Sequence, residues 1–522
     1  MRHFCTAGPV KPDIHYTIPP LERLDRVEVL RLIEQQKYFV LHAPRQTGKT
    51  SVLRALVDVL NATGRYRALY INVEPAQSAR EDTTEAIRMI TGILADGART
   101  GLKDDFLDEN WFPLFQRHGS GAFGSVLGRW CERSPLPVVL LIDEIDALVG
   151  DSLIAVLRQI RAGYVDRPER FPQSVVLCGV RDVRDYRIQG SKEVVAGGSA
   201  FNIKAESLRL GDFTPADVRR LYEQHTAGTG QRFEEEVYPL VWDLTRGQPW
   251  LVNALAYEAC SNLETGRSQP ITVEVIVQAK ENLILARATH LDQLADKLRE
   301  PRVRSVVEPI LLGVDQLDVQ QSQHDDLQYA LDLGLIRRDD QAWSIANAIY
   351  REVIPRQLNY ITQTEMEGRL NTGWKVELDE PLDMARRLAS FQQFFRENSE
   401  IWLKDYDYKE AGPHLLMQAF LQTVVNGGGR ILREYALGRG RADLLVIWRD
   451  ERVVIELKLV RGSREKTIAE GLVQTAEYAA RTDATESHLV LFDRDAAKSW
   501  DDKVFRRDET GPGGRTITVW GM

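Results

Sequence analysis

The sequence predicts an α/β protein with a parallel sheet covered by helices and, well downstream, a second mixed sheet in a domain of its own. Three observations predict it. Wholly apolar runs such as Val138–Ile142 suit strands buried on both faces of a parallel sheet. They alternate with stretches of helical periodicity, the pattern of βα units. Near the C-terminus, VVIELKLV (Val453–Val460) reads as another buried strand, yet it carries Glu456 and Lys458. The expected order is an extension over 1–20, an α/β core over 21–206, a helical lid over 207–290, a small helix-and-hairpin module over 291–365, a linker over 366–399 and the second α/β domain over 400–522.

Composition narrows the class. The 43% hydrophobic and 27% charged content of these 522 residues is ordinary for globular protein. A formal charge of −9 argues against coating nucleic acid by bulk electrostatics and leaves room for a local basic groove. The four cysteines, Cys5, Cys131, Cys178 and Cys260, form no C-x-x-C pair or Cys/His cluster, so neither a disulfide framework nor a zinc site is indicated. The first fifteen residues lack a signal peptide's apolar core, and no run approaches the ~18 apolar residues of a membrane helix. A cytoplasmic protein without a membrane partner is expected.

The first chemical site follows the strand Tyr38–Leu41. Ala43, Pro44, Arg45, Gln46, Thr47, Gly48, Lys49 and Thr50 form a loop, and a helix follows with Leu53, Leu56, Val57 and Leu60 on one face. Strand, loop and helix in this order make a phosphate-binding P-loop. Backbone N–H groups and the helix N-terminus, including Ser51, surround an anion; Lys49 reaches the terminal phosphates of ATP and Thr50 offers a hydroxyl to Mg2+. Ala43 stands where the G-x-x-x-x-G-K-[ST] pattern has glycine.

PLPVVLLIDEIDAL supplies the second half of that site. Asp143 ends its strand where a P-loop fold needs a carboxylate near Mg2+, and Glu144 is placed to polarise the attacking water. Strands are also expected at Arg67–Val73, Ser174–Gly179 and Phe201–Lys204. Arg181, just beyond the Ser174 strand, lies at the sheet's carboxyl edge, where it serves either as a γ-phosphate sensor or in a salt bridge.

Thr214, Pro215 and Asp217 announce the lid's first helix, and Gly247-Gln248-Pro249 starts another. The Asp326–Gly334 helix and the strands around Asp339-Asp340 read as a winged helix whose acidic turn disfavours phosphate contact. On APRQTGKT, LLIDE and RGQPW, residues 20–360 resemble the AAA-like ATPases of the extended AAA+/STAND group, including archaeal-type ATPases. That resemblance implies ATP as ligand and places Pro249 near the nucleotide; a purely structural helix-start turn is the alternative.

The C-terminal domain answers the puzzle of VVIELKLV. If Arg449-Asp450 is the turn of a hairpin, Asp443 and Glu456 lie opposite each other on one face, with Lys458 a diagonal step away. Two carboxylates so placed suit Mg2+, whose oxygen ligands lie at about 2.0–2.1 Å, and the lysine can steady developing charge. Asp443-x12-Glu456-x-Lys458, with Ala442 in the leading position, resembles the PD-(D/E)XK nuclease superfamily; Gln474 and Tyr478 match its Q-x-x-x-Y element. Glu410, His414 and Glu434 are accessory candidates for an earlier acidic motif. From Arg430 to Lys466 there are ten basic and six acidic residues, and Arg439, Arg441, Arg461, Arg464 and Lys466 are available to phosphates or to solvent.

Together the resemblances imply an ATPase coupled to a Mg2+-dependent restriction-endonuclease-like domain acting on nucleic acid, DNA before RNA. The order of parts resembles that of bacterial or archaeal proteins often suspected of mobile-element or phage-defence roles. The alternative is a STAND-type regulatory ATPase, forming a nucleotide-dependent homo-oligomer, whose C-terminal domain binds nucleic acid or a partner without cutting. A DNA-translocating motor is disfavoured by the lack of a second motor domain or helicase motif series.

Overall fold

The computed structural model describes residues 2–180, 187–190, 193–196, 204–263, 269–285, 294, 296–311, 321–339, 342–354, 382–404, 417, 420–421, 430–435, 442–460, 462–493, 495 and 497–522. Arg181, Asp340, Glu410, His414, Arg439, Arg441 and Arg461 lie outside them. The chain divides into two compact units. One is Met1–Asp292 with Leu327–Arg337 and Ala346–Ile349; the other is Gln293–Asp326 with Arg338–Ile345 and Tyr350–Met522. The module expected over 291–365 is thus shared between them.

The first unit is built on five parallel strands: β1 (Tyr38–His42), β2 (Arg67–Asn72), β3 (Val138–Asp143), β4 (Ser174–Gly179) and, after a short hairpin of β5 (Arg187–Gly190) and β6 (Glu193–Ala196), β7 (Lys204–Arg209). Their order is β2-β3-β4-β1-β7. The strand expected over Phe201–Lys204 lies, but for Lys204, outside the described residues; Lys204 and Glu206–Arg209 pair with Tyr38–His42 of β1 in parallel. Strand alternation sends Val40, Ile71, Leu140 and Leu177 to one face and Phe39, Leu41, Leu141 and Val176 to the other, and helices bury both. Helix α1 (Arg26–Glu34) and helix α2 (Lys49–Ala62) cover the second face through Val29, Ile33, Val52, Leu53, Leu56 and Leu60. The first face meets α3 (Thr83–Leu102), α4 (Phe106–His118), α5 (Ala122–Arg133) and α6 (Gly150–Ala162).

The stretch expected to form a lid opens on α7 (Pro215–Thr229). Its start is a complete capping box: Thr214 accepts from Asp217 N–H, and the Asp217 carboxylate accepts from Thr214 N–H. After α8 (Val237–Thr245) the chain turns through Gly247 at φ +79° into α9 (Pro249–Tyr257), capped by the Gln248 side chain on Leu251 N–H. That left-handed turn requires glycine, because a Cβ there would lie 2.0 Å from the Phe213 carbonyl oxygen. Phe213 N–H in turn donates to the Gly247 carbonyl at 2.9 Å. Short strands β8 (Ile336–Asp339) and β9 (Ala342–Ile345) occur on either side of the expected wing turn.

The second unit holds a six-stranded mixed sheet in the order β10-β11-β12-β13-β15-β14. The strands are β10 (Arg430–Tyr435), β11 (Ala442–Trp448), β12 (Glu451–Leu459), β13 (Glu486–Phe492), β14 (Phe505–Thr510) and β15 (Thr516–Gly521). One face packs Leu444, Val446, Trp448, Ile455, Phe492 and Trp520 against Leu388, Phe391 and Phe395 of a helix over Met384–Lys404. That helix occupies most of the C-terminal half of the stretch expected to be a linker. Its apolar residues recur at helical spacing, and burying them is what fixes it to the sheet. The other face is covered by a helix over Arg464–Thr482, through Ile468, Ala476, Tyr478 and Ala479.

Candidate functional site

The phosphate loop leaves β1 after His42, held to β4 by Ala43 N–H donating to the Gly179 carbonyl at 3.2 Å. Gln46 and Gly48 take positive φ, 57° and 87°, which coils the backbone around a small bowl before α2 begins at Lys49. The Lys49 ammonium is buried and folds back over its own loop, donating to the Ala43 and Pro44 carbonyls at 3.0 Å each. Arg45 is exposed, whereas Thr47 is buried and donates to the Pro44 carbonyl at 2.8 Å. The Ser51 hydroxyl accepts from Val10 N–H at 3.1 Å, so the N-terminal segment is tied to the loop's helix.

Asp143, wholly buried at the end of β3, gathers the rest. Its Oδ2 accepts from the Thr50 hydroxyl at 2.7 Å and from the Tyr70 hydroxyl at 3.0 Å; its Oδ1 accepts from Glu144 N–H at 3.0 Å. Glu144 sits in the left-handed region at φ 55°. Burial raises its carboxyl above the ordinary glutamate value, Lys49 pulls it back down, and Asp146 and Asp143 raise it further. Lys49, Thr50, Asp143 and Glu144 are therefore one cluster, although 93 residues separate Thr50 from Asp143.

Two neighbours carry no sequence motif. Tyr70 reaches Asp143 only because β2 lies beside β3, a fact of strand order. Arg23 donates from Nη1 to the Thr47 carbonyl in the loop at 2.6 Å. A cavity of about 130 Å3 adjoins the loop, lined in part by Cys5, Arg23, Gln46, Gly48, Phe213 and Pro249. Pro249 thus faces the same space as the loop.

The second cluster lies on β11 and β12. Their antiparallel register sets Asp443 opposite Glu456, and the β10–β11 register sets Glu434 opposite Asp443. Glu434, Asp443 and Glu456 thus form one row across three strands. Glu456 is wholly buried, and its Oε1 lies 2.8 Å from the Lys458 ammonium, whose side chain is 16% exposed. Glu456 shares its strand face with Val454, which packs against Tyr478 of the Arg464–Thr482 helix. On the same helix Gly471 sits against Leu489, the strand neighbour of Glu456. Gln474 falls between Gly471 and Tyr478, with its Oε1 buried and without a hydrogen-bond partner among the described residues. The helix thus presents the Gln474–Tyr478 pair to the face that carries Glu456.

The basic residues expected to meet phosphate divide. Arg464 is spoken for by Asp493 at 3.4 Å and the Asp502 carbonyl at 2.7 Å, whereas Lys466 is exposed and 4.0 Å from Glu470. Among the described residues no group of three or more His, Cys, Asp or Glu side chains gathers as a metal site, and no helix is long and apolar enough to cross a membrane.

A loop of this geometry, with its lysine, threonine and strand-end aspartate in contact, defines a P-loop nucleotide hydrolase. Residues 31–186 match the protein-family model described as the AAA domain. This part of the chain is an AAA-type P-loop ATPase domain. No curated protein matches the chain. Among solved structures, the Walker-type ATPase PABY2304 of Pyrococcus abyssi is 16% identical, covering 63% of this chain and 95% of its own, with a TM-score of 0.45. The RuvB Holliday junction branch migration motor of Thermotoga maritima is 13% identical over 64% of this chain and 96% of its own, at 0.32. Cdc6p from Pyrobaculum aerophilum is 16% identical over 65% and 94%, at 0.35.

Proposed function

We propose that ATP turnover at the P-loop gates Mg2+-dependent cutting of nucleic acid, DNA before RNA, by the C-terminal domain. Thr50 and Asp143 offer hard oxygen donors 2.7 Å apart, the ligand type that Mg2+ takes. Held by these two oxygens, Mg2+ would offset charge on the phosphates. Lys49 binds the terminal phosphates after giving up the Ala43 and Pro44 carbonyls, and Glu144 accepts a proton from the attacking water. The cavity beside Gly48 and Pro249 would take the nucleotide's base.

The observation that carries the nuclease reading is the Asp443–Glu456 register with Lys458 beside the glutamate. The carboxyl groups of Asp443 and Glu456 would hold Mg2+, which supplies an activated water and offsets phosphate charge when bound. Lys458 stabilises the charge that grows on the phosphate as water attacks. A role against invading DNA would follow from such an activity.

The test is cleavage of labelled linear and circular DNA in Mg2+ or Mn2+, with and without ATP. Wild type cuts, Lys458→Ala does not, EDTA stops cutting, and Lys49→Ala shows whether ATP gates it. Cleavage that survives EDTA or Lys458→Ala sinks the metal-nuclease assignment.

One observation favours a regulatory reading without cutting: the buried Glu456 already has a cation at 2.8 Å in Lys458, as a structural ion pair would. On that reading wild type hydrolyses ATP, cuts nothing and changes mass in solution with a non-hydrolysable ATP analogue. An unchanged mass counts against it.

A further inference from the structure

Arg23 ends a short 3-10 turn over Pro20–Arg23, ahead of α1 and outside every motif of the P-loop. It is half-buried. Its guanidinium faces three parts of the first unit. Nη1 donates to the Thr47 carbonyl inside the phosphate loop at 2.6 Å. Nε donates to the Gly211 carbonyl at 3.0 Å, and Nη2 reaches the same oxygen. The cation also lies over the Phe213 ring, 5.0 Å from its centroid.

Gly211–Phe213 is the link between the last core strand, β7, and the capping box that starts the next helix. Phe213 continues the connection, because its N–H donates to Gly247, the turn that aims α9 and Pro249 at the cavity. An unbroken series of contacts therefore runs from loop to lid: Thr47 carbonyl, Arg23, Gly211 and Phe213, then Gly247. Arg23 also packs close to the loop's glycine, since a Cβ on Gly48 would sit 3.2 Å from its Nη1. Burial pulls the guanidinium down and Asp212 and Asp217 push it part of the way back, to about 10, so it stays a cation at neutral pH.

A planar fork of N–H donors suits this task and an ammonium does not. Arginine can hold two carbonyls and stack on a ring in one fixed geometry, whereas lysine is a single flexible point charge. Phosphate in the loop would be held by its backbone N–H groups. Any shift of the Thr47 carbonyl is then felt by Arg23, and through it by the Gly211–Phe213 link.

We propose that Arg23 is a positioning residue that couples the phosphate loop to the link into the lid, so that nucleotide on the loop sets the position of the lid. This rests on the ATPase reading. It assigns Arg23 to turnover rather than to binding: ATP still binds without it, but the lid no longer answers.

The test compares wild type, Arg23→Ala, Arg23→Lys and Phe213→Leu. Two readouts are taken: steady-state ATP hydrolysis in Mg2+, and amide hydrogen exchange at Phe213 with and without AMP-PNP. In wild type the analogue slows exchange at Phe213. In Arg23→Ala, kcat falls about tenfold at a KM within about threefold of wild type, and the slowing is lost. Arg23→Lys behaves like Arg23→Ala because an ammonium lacks the rigid planar fork and does not stack on the Phe213 ring, and it decides the matter if the alanine protein does not fold. Phe213→Leu keeps the hydrogen bonds and loses part of the response.

A plain packing role would lower stability without touching the analogue-dependent difference. The proposal is overturned if Arg23→Lys turns ATP over as wild type does, or if slowing at Phe213 persists in it. Wild type that binds no ATP would instead overturn the ATPase reading, and this one with it.

Discussion

Asp104 shows how much one side chain can fix. It accepts from the Trp130 indole N–H at 2.9 Å and from Arg67 at 2.8 Å, so it ties the α3–α4 connection to α5 and β2. Burial alone would raise its carboxyl; the bonds from Trp130, Phe106 N–H and Arg67 outweigh burial and hold it below the usual aspartate value. The folded carboxyl is therefore the stronger acid. Its stabilisation is complete above the unfolded aspartate value and is lost as pH falls through the folded one. Asp104→Asn should cost about 1–3 kcal/mol in urea unfolding at pH 7. The gap to wild type should narrow as pH drops below about 4, and a gap independent of pH would contradict the assignment. In the ATPase cluster, Glu144→Gln should bind ATP as wild type does and hydrolyse it at least about 100-fold more slowly. Equal turnover would remove Glu144 from the chemistry.

At the scale of elements, the lid depends on the Gly247 turn. Gly247→Ala would put a methyl on a left-handed residue and against the Phe213 carbonyl, at a cost of about 1–3 kcal/mol. Thermal melting should show the loss, and protection of Phe213 N–H should fall with it. Helix starts were legible in the sequence because capping is local: Thr214 with Asp217, and Gln248 before Pro249, announce their helices within four residues. The hairpin was legible too, since Asp443 and Glu456 are paired by counting back from the Arg449-Asp450 turn. The Met384–Lys404 helix was not, because its stripe of Leu388, Phe391 and Phe395 means little until a sheet face exists to receive it. Tyr70 and Arg23 escaped for a related reason. Their partners, Asp143 and Gly211, are remote in sequence and are brought close by strand order alone.

For the whole molecule, the consequence of a formed P-loop is ligand-linked stability. ATP with Mg2+ at 100 times its Kd should stabilise the folded chain by about 2.7 kcal/mol, seen as a rise in the first unfolding transition. Lys49→Ala should abolish that rise. A rise that survives the substitution would place the nucleotide elsewhere. The two sheets also differ in how far apart their site residues lie. The second site's pair is set by one hairpin, whereas the first needs β1, β2, β3 and the β4 strand between β1 and β3 in place before Lys49, Thr50, Tyr70 and Asp143 can meet.

Strand order has a further consequence, for the chain as the ribosome makes it. β1, which launches the phosphate loop, pairs only with β4 and β7, and these begin at Ser174 and Lys204. While residues 38–173 emerge, this strand has no neighbour to pair with, and its apolar side chains wait. Such distant pairings are slow to form and leave edges exposed in the meantime. Stalled nascent chains released before Ser174 should therefore fail to retain ATP, and retention should begin once β7 has left the tunnel. The loop's half of the ATP site is complete in sequence by Thr50, yet it becomes a site only after β4 and β7 have followed.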